Sequence, residues 1–250
     1  MSIVWMFAAI IFYFRRERIS FSSALKEFPL ITILIPCFNE RQTIVDTIHE
    51  LQALDYPKYE IVVINDGSKD RSLSYLSVLV KMYDNVRVIN LKQNRGKANA
   101  LKFGVMAARG EIIVTLDSDA VLEHDALHWL VGHFVRSGGE RVGAVTGNPR
   151  VRNRSSLLAK VQLVEFSSII GLIKRSQRVL GKVMTVSGVI VAFRKRALLD
   201  CGLWDVDLIT DDIGVTWKLQ RRFWDIRYEP KALCWIFVPE TISGLWKQRV

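Results

Sequence analysis

The 250-residue sequence predicts an α/β fold in which a mostly parallel central sheet carries helices on both faces. Three observations support this. Four short apolar runs rich in Ile, Val and Leu are each followed by a segment of helical periodicity. Half of the residues are hydrophobic and only 24% are charged, so the chain must close around a core. The polar residues of this half collect just after the apolar runs, as they do at the carboxyl edge of a parallel sheet.

In order, residues 30–36 (LITILIP) form the first strand, and residues 41–54 the first helix, with Ile44, Val45, Ile48 and Leu51 on its apolar side. The unit recurs as strand 60–64 with helix 70–82, strand 86–91 with helix 97–108, and strand 112–116 with helix 125–135. Parallel neighbours need crossovers, and helices covering both faces explain why these strands read as continuous apolar runs rather than alternating ones. One domain over residues 20–240 accommodates all of it.

The two ends read differently. Residues 1–14 (MSIVWMFAAIIFYF) are almost wholly apolar, yet a helix of that length reaches about 21 Å against roughly 30 Å of bilayer core. Arg15, Arg16 and Arg18 follow the apolar run instead of preceding it, which is the wrong order for a signal peptide. We read residues 1–19 as the end of a transmembrane helix with its basic juxtamembrane segment, a buried amphipathic arm being the alternative. The arginines place the rest of the chain at the cell membrane on its cytoplasmic side. Residues 241–250 read as the start of a truncated helix. Three scattered cysteines, Cys37, Cys201 and Cys234, offer no disulfide framework and fit a reducing compartment.

With 35 Lys plus Arg against 25 Asp plus Glu, the net charge of +10 calls for an anionic partner: nucleic acid, anionic lipid or a phosphorylated substrate. A membrane-tethered nucleic-acid binder would need a recognition helix or basic residues interleaved with exposed aromatics, and the sequence has neither, so no nucleic acid is expected. Phosphate-binding glycine loops of the P-loop and dinucleotide types are missing as well.

Carboxylates dominate the strand ends instead. The first strand ends in Pro36-Cys37-Phe38-Asn39-Glu40, the second in Asn65-Asp66-Gly67-Ser68 and the fourth in Asp117-Ser118-Asp119. In an extended segment Asp117 and Asp119 point the same way, and their repulsion is relieved by Mg²⁺ or Mn²⁺, which takes one or two carboxylates plus phosphate oxygens. A polar turn capping the next helix explains the same three residues equally well, and Asp66-Gly67-Ser68 is by itself an ordinary turn. Lys97, after Gly96 at a helix start, is either a solvated lysine or a cation over a diphosphate. Thr210-Asp211-Asp212 opens a helix with Thr210 as N-cap and acids suited to the dipole; the alternative is that Asp212 takes a proton from a substrate hydroxyl. His124 and His128, at i and i+4, lack a metal-site frame and belong on a helix exterior. The apolar but basic stretch 157–180 either packs beneath the site facing a membrane or is a plain core helix. Arg150, Arg152 and Arg154 either attract a nucleotide or are surface charge.

The motifs ITILIPCFNE, VINDGSKD, NRGKANAL, TLDSDA, TVSGVIVAFRK and LITDD, with Gln248 near the end, stand in the order found in the processive family 2 glycosyltransferases, and the chain resembles that family from residue 30 to residue 250. VGAVTGNPRVRNRS, EFSSIIGLIKRSQR and YEPKALCWIFVPETISGLWKQR bring it nearest to the bacterial synthases of poly-β-1,6-N-acetylglucosamine. The resemblance implies a GT-A fold, a UDP-sugar donor (UDP-N-acetylglucosamine), a growing polysaccharide acceptor, membrane attachment and a small membrane partner subunit, a non-processive transferase acting on a lipid or other acceptor being the alternative. It implies that Asp66 and the Pro36, Asn39 and Glu40 loop contact the uridine, with Lys97 near the nucleotide. By the same likeness Asp117 holds the UDP-sugar, Asp119 binds Mg²⁺ or Mn²⁺, Ser187 and Gly188 line the sugar pocket, and Asp212 is the general base. Gln248 opens the acceptor motif Gln-x-x-Arg-Trp, whose Arg-Trp the sequence does not reach. Asn65 and Asp211 depart from the family's usual Asp and Glu.

Overall fold

A computed structural model describes residues 3–17, 25–208 and 210–249. The chain starts with α1 (Ile3–Phe12), continued by a π-helical turn over Tyr13–Glu17. An alternating half follows: β1 (Ile31–Cys37), α2 (Ile44–Leu51), β2 (Tyr59–Asp66), α3 (Ser72–Met82), β3 (Val86–Leu91), α4 (Lys97–Ala107) and β4 (Ile112–Leu116). These are the expected elements in the expected order. Helix α2 is shorter than residues 41–54 because Glu40 ends the loop in a turn. Its carbonyl accepts from the Thr43 and Ile44 amides (3.2 and 3.0 Å), and its carboxylate accepts from Thr43 Oγ1 (2.8 Å).

Strands β3, β2, β1 and β4 lie side by side and parallel. Ile33 and Ile35 of β1 face one core with Ile44, Ile48 and Leu76, while Leu34 faces a second with Leu101, Val105 and Leu219. Both faces are thus dry, and each fully buried Ile or Leu contributes ~2 kcal/mol.

The second half is less regular: β5 (Val121–Leu122), α5 (Ala126–Val135), β6 (Val142–Val151), α6 (Leu157–Phe166), α7 (Lys174–Leu180), β7 (Ile190–Arg194), α8 (Lys195–Cys201), α9 (Asp211–Arg221), β8 (Asp225–Ile236) and α10 (Ile242–Arg249). Among the described residues one eight-stranded sheet runs β3-β2-β1-β4-β7-β6-β8-β5. It is mixed but mostly parallel: β7 is antiparallel to β4 and β6, β5 is antiparallel to β8, and β6 and β8 are parallel.

The stretch 157–180 is one continuous rod in which a π-helical segment, Ser167–Ile173, joins α6 to α7. Helix α1 packs along it, with the Ser176 hydroxyl on the Trp5 carbonyl (2.5 Å) and Arg175 bidentate to Glu17 (both 2.7 Å). Among the described residues no helix is long and apolar enough to cross a membrane, and residues 18 and 19 lie outside them. The three cysteines are free and buried.

The histidine pair needs correcting. His124 precedes α5, so the two do not share a helical face. His128 turns inward, its ring edge-on to Phe28 and Tyr56 (5.8 and 5.4 Å between centroids) and its Nε2 on the Asp55 carbonyl.

Candidate active site

The carboxyl ends of β1, β2 and β4 and the start of α4 enclose a cleft of about 390 Å³, lined by Pro36, Glu40, Asp66, Lys97, Asp117 and Asp119 among others. Six of the residues singled out in the sequence therefore meet in one place.

The loop after β1 is laced to the loop after β2. Asn39 adopts a left-handed backbone (φ 58°), tolerable for Asn; its amide donates to Ser68 Oγ (2.9 Å) and its Oδ1 accepts from the Lys69 amide (2.9 Å). The Glu40 amide donates to Ser72 Oγ (3.1 Å). Asn39 thus braces the rim, whereas Pro36 and Glu40 line the cleft. Asp66 caps the loop entering α4: its carboxylate accepts from the Arg95 amide (3.0 Å) and the Gly96 amide (2.8 Å). Only glycine fits at position 67, where φ is +68° and a Cβ would fall 2.6 Å from the Asn94 nitrogen.

Asp117-Ser118-Asp119 is a turn, not extended backbone, since β4 stops at Leu116 and the Ala120 amide donates to the Asp117 carbonyl (3.2 Å). Alternation is thus not the reason the two carboxylates share a cleft; the turn brings both there, along with Ser118. Lys97 Nζ donates to Asp117 Oδ1 (2.6 Å) and to the Gly188 carbonyl (3.3 Å). Packing around this ammonium works to lower its pKa, but Asp117, with Asp212 and Asp211 beyond it, raises it instead. Asp119 is pushed up, first by burial and then by the Asp117 carboxylate, with Glu40 adding to the repulsion.

That crowding tests whether a divalent cation belongs here. The donors are all hard carboxylate oxygens whose mutual repulsion a cation removes. Among the described residues no group of three or more His, Cys, Asp or Glu could enclose an ion unaided. A Mg²⁺ or Mn²⁺ held by Asp119 would draw its remaining oxygens from a ligand, which is how Mg²⁺ is usually bound through one or two carboxylates and phosphates. The residues fit.

Asp212 reaches the same site from the other half of the molecule. Thr210 holds the N-cap position of α9 as expected, but its side chain makes no capping bond; Asp211 Oδ1 accepts from the Asp212 amide (2.9 Å). The Asp212 carboxylate lies against Gly188, where an added Cβ would fall 2.4 Å from its Oδ2. The segment carrying Gly188 is pinned on both sides. The Val186 amide donates to Thr216 Oγ1 (3.0 Å) and the Ser187 amide to Thr146 Oγ1 (2.9 Å). Burial, then the neighbouring Asp211, pushes the Asp212 carboxyl up to about 6. Lys97 therefore bridges Asp117 to Gly188, and Gly188 carries Asp212.

Sequence reasoning missed Lys174. It is 4% exposed, its ammonium donates to the Thr185 carbonyl (2.7 Å), and burial lowers it to about 8 while Asp212 opposes the shift. A lysine inside an apolar run was the available signal, but Lys160 and Arg178 in the same run looked alike. Of Arg150, at the end of β6, and Arg152 and Arg154 after it, Arg152 lines a second cavity of about 520 Å³ that Asp119 also borders. Gln248 falls on α10, and its side chain lies outside the described residues.

A family model, glycosyltransferase like family 2, matches residues 29–250. Poly-beta-1,6-N-acetyl-D-glucosamine synthase of Staphylococcus aureus (strain COL) is 47% identical over an alignment covering 100% of this chain and 61% of its own length. The Staphylococcus epidermidis enzyme of the same name is 45% identical with the same coverage. The chain thus spans 61% of the length of these relatives. Among solved structures, a mannosyltransferase from Pyrobaculum calidifontis in complex with GDP-Man and Mn²⁺ superposes with a TM-score of 0.74 at 22% identity, covering 98% of this chain and 69% of that one. GalNAc-T7 with UDP, GalNAc and Mn²⁺ gives 0.67 at 15% identity over 89% of this chain and 48% of that one. The expected GT-A-like architecture is the fold these neighbours share, and the chain belongs to the family 2 glycosyltransferases.

Proposed function

We propose that the chain catalyses inverting, metal-dependent transfer of N-acetylglucosamine from UDP-N-acetylglucosamine to a growing β-linked polysaccharide at the cytoplasmic face of a membrane. The observation that carries the proposal is the junction at Gly188. There a carboxylate fit to act as base, Asp212, adjoins a lysine and carboxylate cluster fit for a nucleoside diphosphate. The sugar and the polymer follow from the staphylococcal relatives, and UDP from the family resemblance.

The reaction is one displacement. The acceptor oxygen bonds to the anomeric carbon, the bond from that carbon to the diphosphate breaks, the acceptor proton passes to Asp212, and UDP departs with the electron pair. Asp212, held near pKa 6, is ionised at neutral pH yet more basic than an exposed aspartate, as a general base should be. Lys97 sets a positive charge where the diphosphate would lie, at the N-terminus of α4. Asp119 would hold the metal, which supplies charge stabilisation to the leaving diphosphate. Asp66 and Asn39 fix the two loops that would frame the uridine, with Pro36 and Glu40 on the wall between them. Ser187 and Gly188 shape the sugar end, and Gln248 falls on the helix assigned to the acceptor. Attachment to a membrane rests on α1, whose Ile3, Met6 and Phe7 are all more than half exposed, with Arg15 and Arg16 next to it.

Calorimetric titration tests this reading: UDP-N-acetylglucosamine against UDP-glucose, with and without Mn²⁺, on the wild type and on Asp119→Ala. The expected result is tighter, Mn²⁺-dependent binding of the N-acetylated donor by the wild type and loss of the metal effect in the variant. Equal, metal-independent binding by both proteins would overturn it.

A further inference from the structure

At the edge of the sheet opposite β3, a separate cavity of about 300 Å³ opens between α1, α5 and the stretch of β8 that β5 leaves unpaired. Its floor is aromatic: Phe12, Trp129 and Tyr228 line it. Its rim is cationic, carrying Arg16, Arg178, Arg227 and Lys231. The carboxylates nearby are already committed. Arg175 binds Glu17 through both oxygens, His133 Nε2 lies 2.8 Å from Glu229, and Asp225 is shared between Arg178 (3.4 Å) and Arg227 (2.8 Å). Among the described residues Arg16 and Lys231 form no ion pair; the Lys231 ammonium sits over the Trp129 ring at 4.5 Å. The cations also repel one another. Arg178 is held below the usual guanidinium range by burial and by Arg16 and Arg227, with Asp225 offsetting only part of this.

A pocket with more fixed positive charge than its carboxylates neutralise, floored by aromatic rings, is complementary to a phosphate attached to an apolar body. The place of the pocket identifies that body. Arg16 stands on the turn that continues α1, the helix whose Ile3, Met6, Phe7 and Ile10 side chains face solvent. If that apolar face enters a bilayer, the pocket sits at headgroup depth, where an anionic surface attracts basic residues. We propose that the cavity between α1, α5 and β8 binds the phosphate headgroup of an anionic membrane phospholipid and so seats the enzyme on the bilayer. The proposal rests on the membrane attachment through α1 proposed above, but none of these residues belongs to the transfer site, so the headgroup site can fail while the transfer reading stands.

Flotation of the 250-residue chain tests the proposal, with vesicles of phosphatidylcholine alone and of phosphatidylcholine doped with phosphatidylglycerol. The wild type should float with the doped vesicles. Arg16→Gln with Lys231→Gln should bind them about thirty-fold more weakly, from about 1 kcal/mol per basic residue near an anionic surface. Lys58→Gln with Lys81→Gln removes the same charge from an exposed surface elsewhere and should bind as the wild type does. The charge-keeping pair Arg16→Lys with Lys231→Arg should retain binding, which separates lost charge from lost folding. Equal flotation with both kinds of vesicle, or equal weakening of the two Gln pairs, would overturn the headgroup site. So would soluble glycerol phosphate competing away the vesicles at matched phosphate concentration, which would assign the pocket to a free phosphoester.

Discussion

Replacing Gly188 by Ala probes the geometry on which the proposed chemistry depends. The added methyl would lie 2.4 Å from Asp212 Oδ2 and 3.0 Å from Oδ1, whereas ordinary contact begins at 3.4 Å, so the carboxylate must retreat by about 1 Å. The backbone of position 188 cannot yield instead without straining the Thr216 and Thr146 hydroxyl bonds to Val186 and Ser187, and the Gly188 carbonyl is held by Lys97. A misplacement of about 1 Å in a catalytic group costs on the order of 10²-fold, or ~2.7 kcal/mol of barrier. Donor binding should survive, because the methyl points at the base and not at Asp117, Lys97 or Asp119. The assay is UDP release from UDP-N-acetylglucosamine under saturating donor and Mn²⁺, paired with calorimetric donor affinity and a thermal melt. A folded Gly188→Ala protein with wild-type kcat would refute the placement of Asp212 as base.

The pH behaviour follows from the same burial. Asp212 must be ionised to accept a proton, so kcat should fall tenfold per pH unit below about 6. Its raised pKa also means that ionisation opposes folding: Asp212→Asn should abolish transfer yet stabilise the fold by ~2 to 3 kcal/mol at pH 7.5. That gain should vanish below about pH 4, where the native carboxyl is neutral in both folded and unfolded chains, and denaturant melts at the two pH values would show it. Lys174→Met removes an ammonium that favours the ionised base, so the acid limb of the rate profile should move to higher pH. An unmoved limb would show that Lys174 only braces Thr185.

The alternating half was legible because each strand is buried on both faces and each crossover helix has one apolar side, so sequence pattern and structure carry the same information. The carboxylate edge followed from that regularity. What failed there was local: Asp117 to Asp119 share the cleft through a turn, since the chain leaves the sheet at Leu116. The mixed half was illegible for a different reason. Strand β8 slips its register between Thr146 and Asn148 of its neighbour, and the Asn148 side chain donates through Nδ2 to the Pro230 carbonyl at this irregularity (2.7 Å). Burial along β8 still alternates residue by residue, but Pro230 and the charged residues between its buried positions leave no apolar run of the kind that marks the parallel strands. Lys174 was hidden likewise, because only the tertiary fold turns one lysine of a basic helix onto the Thr185 carbonyl.

The seam between the halves explains how donor and base groups could come from stretches about 95 residues apart and still form one site. Antiparallel β7 pairs with β4 so that Leu116 opposes Ile190, and the Asp117 amide donates to the Val189 carbonyl just beyond (3.3 Å). Gly188 is thereby delivered beside the Asp117 turn, within reach of Lys97, and Asp212 is packed onto it from α9. A one-residue slip in this pairing would exchange the two faces of β7, forcing Val191 and Phe193 into the space that fits Ile190 and Ala192 and the reverse, so packing on both faces enforces the register. The core that stabilises the mixed half therefore also sets the distance between the proposed base and the carboxylates of the parallel half.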